Sequence, residues 1–340
     1  MLLPSEASAD ALHTSPPDAL VRAMPQVHEG LLVLGAGGKM GPTLCQLARN
    51  AAARANMPLR IVAVSRFTDA AVRGRLDAAG IETIACDLLA PDALATLPDI
   101  PNIVFMAGRK FGSTGNEPLT WAMNVTLPAL VMRRFPTARI VALSTGNVYP
   151  FTLAALRGAK ESDPPAPVGE YAWSCLGRER VMTHESIVTG TRLAILRLNY
   201  AIDVRYGVLL DIARRVRDGE AIDLSTGHVN MIWQGDANTG ILLAFERAEA
   251  PPSLFNLTGR ETRAVRQLAT CFADIFDREP VFTGVEQDTA LLSDATRFHD
   301  TFDWPQTGID VMIRHVAMWL ELDGPIWNKP THYEQRDGRF

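Results

Sequence analysis

Short apolar runs alternate with longer amphipathic stretches through most of the chain. Leu31-Leu32-Val33-Leu34 is a continuous apolar run of strand length, and the turn Gly35 to Gly41 follows it. Pro42 to Arg54 then carries helical spacing. Further strands are predicted over 59–64, 81–86, 102–106, 139–144 and 192–198, with a late one over 254–257. Helices are predicted over 68–79, 91–97, 118–135, 171–188, 208–218, 235–248, 262–276 and 309–321. Strands alternating with helices mean βαβ units and a parallel sheet covered on both faces. Ligands of such sheets bind beyond the carboxyl ends of the strands. The residues just after each strand are therefore the first candidates for chemistry.

The alternation weakens after residue 200, where turn-rich pieces (Asp203 to Gly207, Ser225 to Gly235, Gly284 to Asp288) interrupt the helices. This predicts a dinucleotide-binding domain over 29–200, with part of 235–276 returning to it. A smaller substrate lobe occupies mainly 201–326. Residues 1–28 read as a polar lead-in with a short helix over Asp18 to Met24, and 327–340 as a polar tail.

Bulk properties narrow the function classes. A chain of 340 residues suggests about two domains. A formal net charge of −5 leaves no basic excess to neutralise phosphates, which argues against a nucleic-acid partner. No apolar run approaches the ~18 residues of a membrane span. The opening Met1-Leu2-Leu3-Pro4-Ser5-Glu6 does not read as a signal peptide. Cys45, Cys86, Cys175 and Cys271 form no CxxC pair, and lone thiols fit a reducing, cytoplasmic setting. The seven histidines show no metal-ligand spacing.

Gly35-Ala36-Gly37-Gly38-Lys39-Met40-Gly41 lies between a strand and a helix and reads as GxxGxxG with Gly35, Gly38 and Gly41. Such a turn lets backbone approach a pyrophosphate, and the helix N-terminus offers it free N–H groups. Lys39 and Met40 belong to the same cofactor-binding turn. The second strand ends at Ser65-Arg66 with no acid for a ribose 2′-hydroxyl. A hydroxyl, Arg66 and Lys39 together favour NADP(H) over NAD(H); the plain alternative leaves both cations in solvent. Asp87, after the third strand, is placed either on the adenine amino group or as a cap for the following segment.

The ordered motifs resemble the extended short-chain dehydrogenase/reductase family, the epimerase–dehydratase group, from about residue 30 to 322. The likeness rests on the glycine turn, Cys86-Asp87-Leu88, Phe105-Met106-Ala107-Gly108, Asn124-Val125 and Leu143 to Tyr149. Leu196 to Tyr200, Ile232 to Asp236 and Val265 to Ala269 continue it. It implies a Rossmann-type doubly wound parallel α/β sheet with a smaller C-terminal substrate lobe. It also implies cofactor contacts from Leu88, Ala107, Gly108 and Lys110, and a homodimer packed through the helix that carries the catalytic tyrosine.

In this family a hydroxyl orients the substrate oxygen, a tyrosine is the general acid/base, and a lysine four residues on lowers the tyrosine pKa. The matching positions are Thr145, Tyr171 and Cys175. A neutral thiol cannot supply the missing cation. Lys110, in the loop after the fourth strand, is the candidate replacement. Arg178 shares the helix face but lies two turns on, about 10 Å along the axis, which is too far by rise alone. The resemblance also places Asn199 toward the substrate, with Asn147 a further substrate candidate, while Val229 stands where nucleotide-sugar epimerases carry an arginine. Arg205 is the candidate for an anionic substrate such as a sugar acid, the plain alternative being surface charge. The implied function is an NADP(H)-dependent oxidoreductase or epimerase acting on a carbohydrate-like or hydroxy-acid small molecule. A catalytically silent NADP(H)-binding regulator is the alternative.

Overall fold

The computed structural model describes residues 4–329 and 331–339. Seven strands form one sheet: β1 (Leu31–Leu34), β2 (Ile61–Ser65), β3 (Glu82–Ala85), β4 (Asn102–Phe105), β5 (Arg139–Thr145), β6 (Arg192–Leu198) and β7 (Ser253–Leu257). Their spatial order is β7-β6-β5-β4-β1-β2-β3, and every pairing is parallel. β1 and β4 are buried at every position, because helices cover both faces. The strand order reverses between β1 and β4, the crevice where such sheets bind ligands.

Two helices precede the sheet, α1 (Glu6–Thr14) and α2 (Asp18–Ala23). The lead-in is therefore part of the fold, and α1 went unpredicted. Its buried face consists of Ala9, Asp10, His13 and Thr14, so it carries almost no apolar stripe to read. Ser5 caps α1 through a capping box with Ser8.

The next helices are α3 (Gly41–Arg54), α4 (Ala70–Ala78), α5 (Glu117–Trp121), α6 (Leu127–Arg134) and α7 (Gly169–Thr189). The predicted helix over 118–135 is thus divided. One π-helical turn, Ala122–Thr126, separates α5 from α6. Pro128 in the first turn of α6 has no N–H to continue an α-helical ladder. The stretch 91–97 forms only a 3₁₀ turn over Ala93–Thr96. α7 runs 21 residues and ends on Gly190 in the left-handed conformation.

The remainder comprises α8 (Val208–Asp218), α9 (Gln234–Leu243), α10 (Val265–Phe276), α11 (Thr296–Phe302) and α12 (Ile309–Glu321). Residues Thr262–Ala264, read as helix, pair antiparallel with His228–Asn230 instead. Ile241 of α9 packs in the core beneath β1 together with Leu44 of α3. α8, α10 and α12 share a second core with Leu209, Phe272 and Val316 fully buried. The tail also packs: Thr331 and Tyr333 are each 5% exposed. No helix among the described residues is long and apolar enough to cross a membrane.

Candidate active site

The glycine turn closes tightly at the carboxyl end of β1. Gly35 has φ +93°, and a Cβ there would lie 2.6 Å from the Ala107 nitrogen. A Cβ on Gly41 would collide with the Ala36 carbonyl. Side chains are excluded at both places, so the turn lies flat beside β4 and the first N–H groups of α3 stay open. A groove of about 700 Å3 runs over it, lined by Gly37, Gly38, Lys39, Thr68, Asp69 and Tyr206. That cradle fits a pyrophosphate, and Pro42 and Thr43 of α3 line it, while Met40 and Gly41 at the helix start lie outside its lining.

The predicted cofactor residues divide. Ser65 lies against the turn, its Oγ 2.5 Å from where a Gly37 Cβ would be, and Arg66 is exposed beside it. Lys39 does not join them. Its amine donates to the Ala201 carbonyl and sits 4.5 Å from the centre of the Tyr206 ring. The case for a 2′-phosphate therefore rests on Ser65 and Arg66. The Asp87 carboxylate accepts from the Leu89 N–H at 3.1 Å, the capping alternative, although its side chain remains exposed. Leu88 is buried in the core beneath β3.

Thr145 ends β5 and Tyr171 begins the first turn of α7. The Tyr171 hydroxyl forms hydrogen bonds with the Thr145 and Cys175 side chains. Thr145 also donates to the Asn147 side chain at 2.9 Å. Burial raises the pKa of Tyr171 far above its ordinary value. Cys175 adds to the rise, and the Arg178 charge opposes it. Cys175 itself is 1% exposed, and burial pushes its thiol up as well. The residue in the expected lysine position is therefore a neutral thiol.

Two cations approach the tyrosine. The Lys110 amine lies 5.8 Å from the centre of the Tyr171 ring, within cation–π range, and burial lowers its pKa to about 8. Arg178 corrects the reading based on helical rise. Side chains on a helix lean back toward its N-terminus, so the guanidinium recovers a turn. It donates to the Leu143 carbonyl at 2.7 Å and to the Asn124 side chain at 2.8 Å. Its Nη2 would lie 2.6 Å from a Cβ on Gly108. The cation thus sits at the carboxyl ends of β4 and β5 and its charge reaches Tyr171 and Cys175.

Asn124 organises this end from within the π turn. Its amide donates to the Arg109 carbonyl and the Ser174 hydroxyl, each at 2.9 Å. Its oxygen accepts from the Arg109 N–H and from Arg178. The widened turn brings that side chain between the loop after β4 and α7. Glu179, the next residue after Arg178, pairs with buried Arg197 at 2.6 Å and accepts from Ser144. Arg197 also donates to Tyr149, which holds the loop after β5.

The substrate predictions fare unevenly. Asn147 and Asn199 line a cavity of about 180 Å3 with Thr145, Tyr171 and Lys110. Asn199 donates its amide to Asn230 and to the Leu291 carbonyl, so the protein holds it in place. Arg205 is a correction. It is 1% exposed and locked to Asp203, Asp10 and Glu6, at 2.7, 2.9 and 2.6 Å. A guanidinium enclosed by three carboxylates of its own chain has no charge to offer a substrate. Sequence reasoning missed this because two of the acids belong to the undetected helix α1.

The chain matches the model of the NAD dependent epimerase/dehydratase family over residues 31–257. No curated protein sequence matches it significantly. A UDP-glucuronic acid 4-epimerase from Bacillus cereus, solved with UDP-glucuronic acid and NAD, superposes with a TM-score of 0.71. Identity is 16%, over 86% of this chain and 99% of that one. A dTDP-glucose 4,6-dehydratase from Streptomyces venezuelae, solved with NAD bound, gives 0.72 at 19% identity, over 86% of this chain and 97% of that one. At these identities the likeness establishes the fold.

Proposed function

We propose that this chain, which belongs to the NAD dependent epimerase/dehydratase family, is an NADP(H)-dependent oxidoreductase or epimerase of the extended short-chain type. Its substrate is a carbohydrate-like or hydroxy-acid small molecule. The observation that carries the reading is the Thr145–Tyr171 pair in the cavity that adjoins the glycine-turn groove at Lys39 and Tyr206, with Lys110 and Arg178 beside it. When bound, the dinucleotide gives or takes a hydride at a carbinol carbon. Thr145 and Tyr171 hold the oxygen on that carbon. The raised Tyr171 pKa keeps its phenol protonated at neutral pH, so the proton it can deliver favours reduction of a carbonyl. Arg178 opposes that rise, and Lys110, against the Tyr171 ring, shares with it the role of the absent lysine. Ser65 and Arg66 receive the 2′-phosphate.

Leu130 on α6 and Trp173 on α7 are 42% and 51% exposed. Those apolar side chains support a homodimer through this face, as the family resemblance implies. The suppressed acidity of Tyr171 favours a second reading, an NADP(H)-binding regulator without catalysis. NADPH titration followed by a hydride-transfer screen over sugars and hydroxy acids separates the two. Binding with turnover that Tyr171→Phe abolishes supports the enzyme; binding without turnover supports the regulator; absence of binding refutes both.

A further inference from the structure

The C-terminal tail crosses the mouth of the catalytic cavity and is fastened on both sides of it. Thr331 donates its N–H and its hydroxyl to Asp211 of α8, at 2.8 and 2.6 Å. Arg336 donates to the Thr289 carbonyl at 2.8 Å and to the Thr289 hydroxyl at 2.6 Å, and lies 4.0 Å from the centre of the Phe151 ring. Ser225 and Thr226 donate to the Glu334 carbonyl. Gly338 then abuts the start of the Tyr171 helix: a Cβ on Gly169 would collide with the Gly338 carbonyl. The tail thus ties the C-terminal lobe to α7, and Tyr333 is buried in that lobe's core.

What remains inside is small. The cavity at Tyr171 holds about 180 Å3, and Thr331 forms part of its wall. A second void of about 30 Å3, between Lys110, Asn147, His332 and Arg336, lies under the tail. Pockets for drug-sized ligands run about 300–1,000 Å3. A sugar still attached to a nucleoside diphosphate exceeds the space on this side of the site, whereas a free sugar acid fits it. The surviving cavity is also cationic. Lys39 and Lys110 both line it, and the Lys39 amine is held there by the Ala201 carbonyl.

We propose that residues 331–339 are a fixed wall of the substrate site, which restricts it to small free hydroxy or sugar acids and excludes nucleotide-linked sugars. The proposal rests on the functional reading above for the location of the reacting carbon. It departs from the nucleotide-sugar ligands of the structures the fold matches.

The test is binding, measured by calorimetry on the full chain with NADPH present, using UDP-glucuronic acid against free gluconate and glucuronate. Expected are binding of a free acid and no measurable binding of UDP-glucuronic acid. The double variant Asp211→Ala/Arg336→Ala, which loosens the tail at both fastenings, gains affinity for UDP-glucuronic acid by at least about tenfold. Wild-type protein that binds UDP-glucuronic acid as tightly as the free acids overturns the proposal, as does failure of every free acid to bind. Should the double variant not fold, Gln335→Gly and Arg336→Ala singly must each raise the UDP-glucuronic acid signal. If NADPH itself does not bind, the functional reading fails. Exclusion is then judged separately from UDP-glucuronic acid titrated into the cofactor-free chain.

Discussion

Arg178 donates to the Asn124 side chain across 2.8 Å, and through it the helix bearing Tyr171 is joined to the loop that carries Lys110. Asn124 makes four hydrogen bonds with its one amide, to Arg109 twice, Ser174 and Arg178. The cationic side of the site is therefore one connected unit.

Arg178→Ala removes a charged donor from three acceptors, the Leu143 carbonyl and both oxygens of Asn124, and an opposing charge from Tyr171. We expect a loss of about 2–3 kcal/mol in stability by denaturant unfolding. Turnover should fall by at least about tenfold, with a larger effect on kcat than on KM. Arg178→Lys, which restores charge but not the paired donors, should recover turnover only in part.

Cys175→Lys places an amine four residues from Tyr171, beside Arg178. If Lys110 and Arg178 already carry the cationic role, the added charge raises hydride transfer by less than about tenfold. A rise of about 100-fold or more would show that the wild-type site is degenerate.

Lys39 and Lys110 have pKa values lowered to about 8, mainly by burial, against 10.5 for the free side chain. Both amines are charged below pH 8 and lose charge above it. Binding of an anionic substrate should therefore weaken as pH rises from 7 to 9, read as a rising KM. The sign for folding is opposite. Between about 8 and 10.5 the unfolded chain holds more protons at these two positions, so their contribution to stability increases with pH. Lys110→Ala should flatten the KM profile and lower kcat.

Arg66→Ala should weaken NADPH binding by about tenfold and leave NADH nearly unchanged, measured by fluorescence titration. Equal losses for both cofactors would remove the basis for NADP(H) selection.

Arg205→Ala leaves Asp203, Asp10 and Glu6 without their shared cation. Burial works against the ionised Asp203, yet hydrogen bonds from His13 and Arg205 hold its pKa well below the usual carboxylate range. Removing one member of such a buried cluster costs about 3–5 kcal/mol, read as a lower Tm. KM for substrate should change little, because Arg205 faces α1 and the glycine-turn groove and does not line the cavity at Tyr171.

The motifs that report backbone geometry were legible. Gly35 and Gly41 stand where a side chain would collide, and the apolar runs of β1 and β4 are buried at every position. Helix α1 was not legible, because its buried face is ionic. The interruption at Ala122–Thr126 was not either, since a π turn leaves no distinct periodicity and Pro128 alone does not announce it.

The chain by itself determined the βαβ order and the glycine turn, because these are local patterns set by the period of helix and strand, and the family resemblance singled out Thr145 and Tyr171. Only the tertiary structure decided what surrounds them. Arg178 reaches Asn124 across 54 residues, Arg205 meets Asp10 across 195, and Thr331 fastens to Asp211 across 120. Each of those contacts depends on the length and lean of a side chain and on which distant segment folds against it. No local period encodes that. The cation near Tyr171, the silence of Arg205 and the size of the substrate cavity therefore emerge only once the chain is packed.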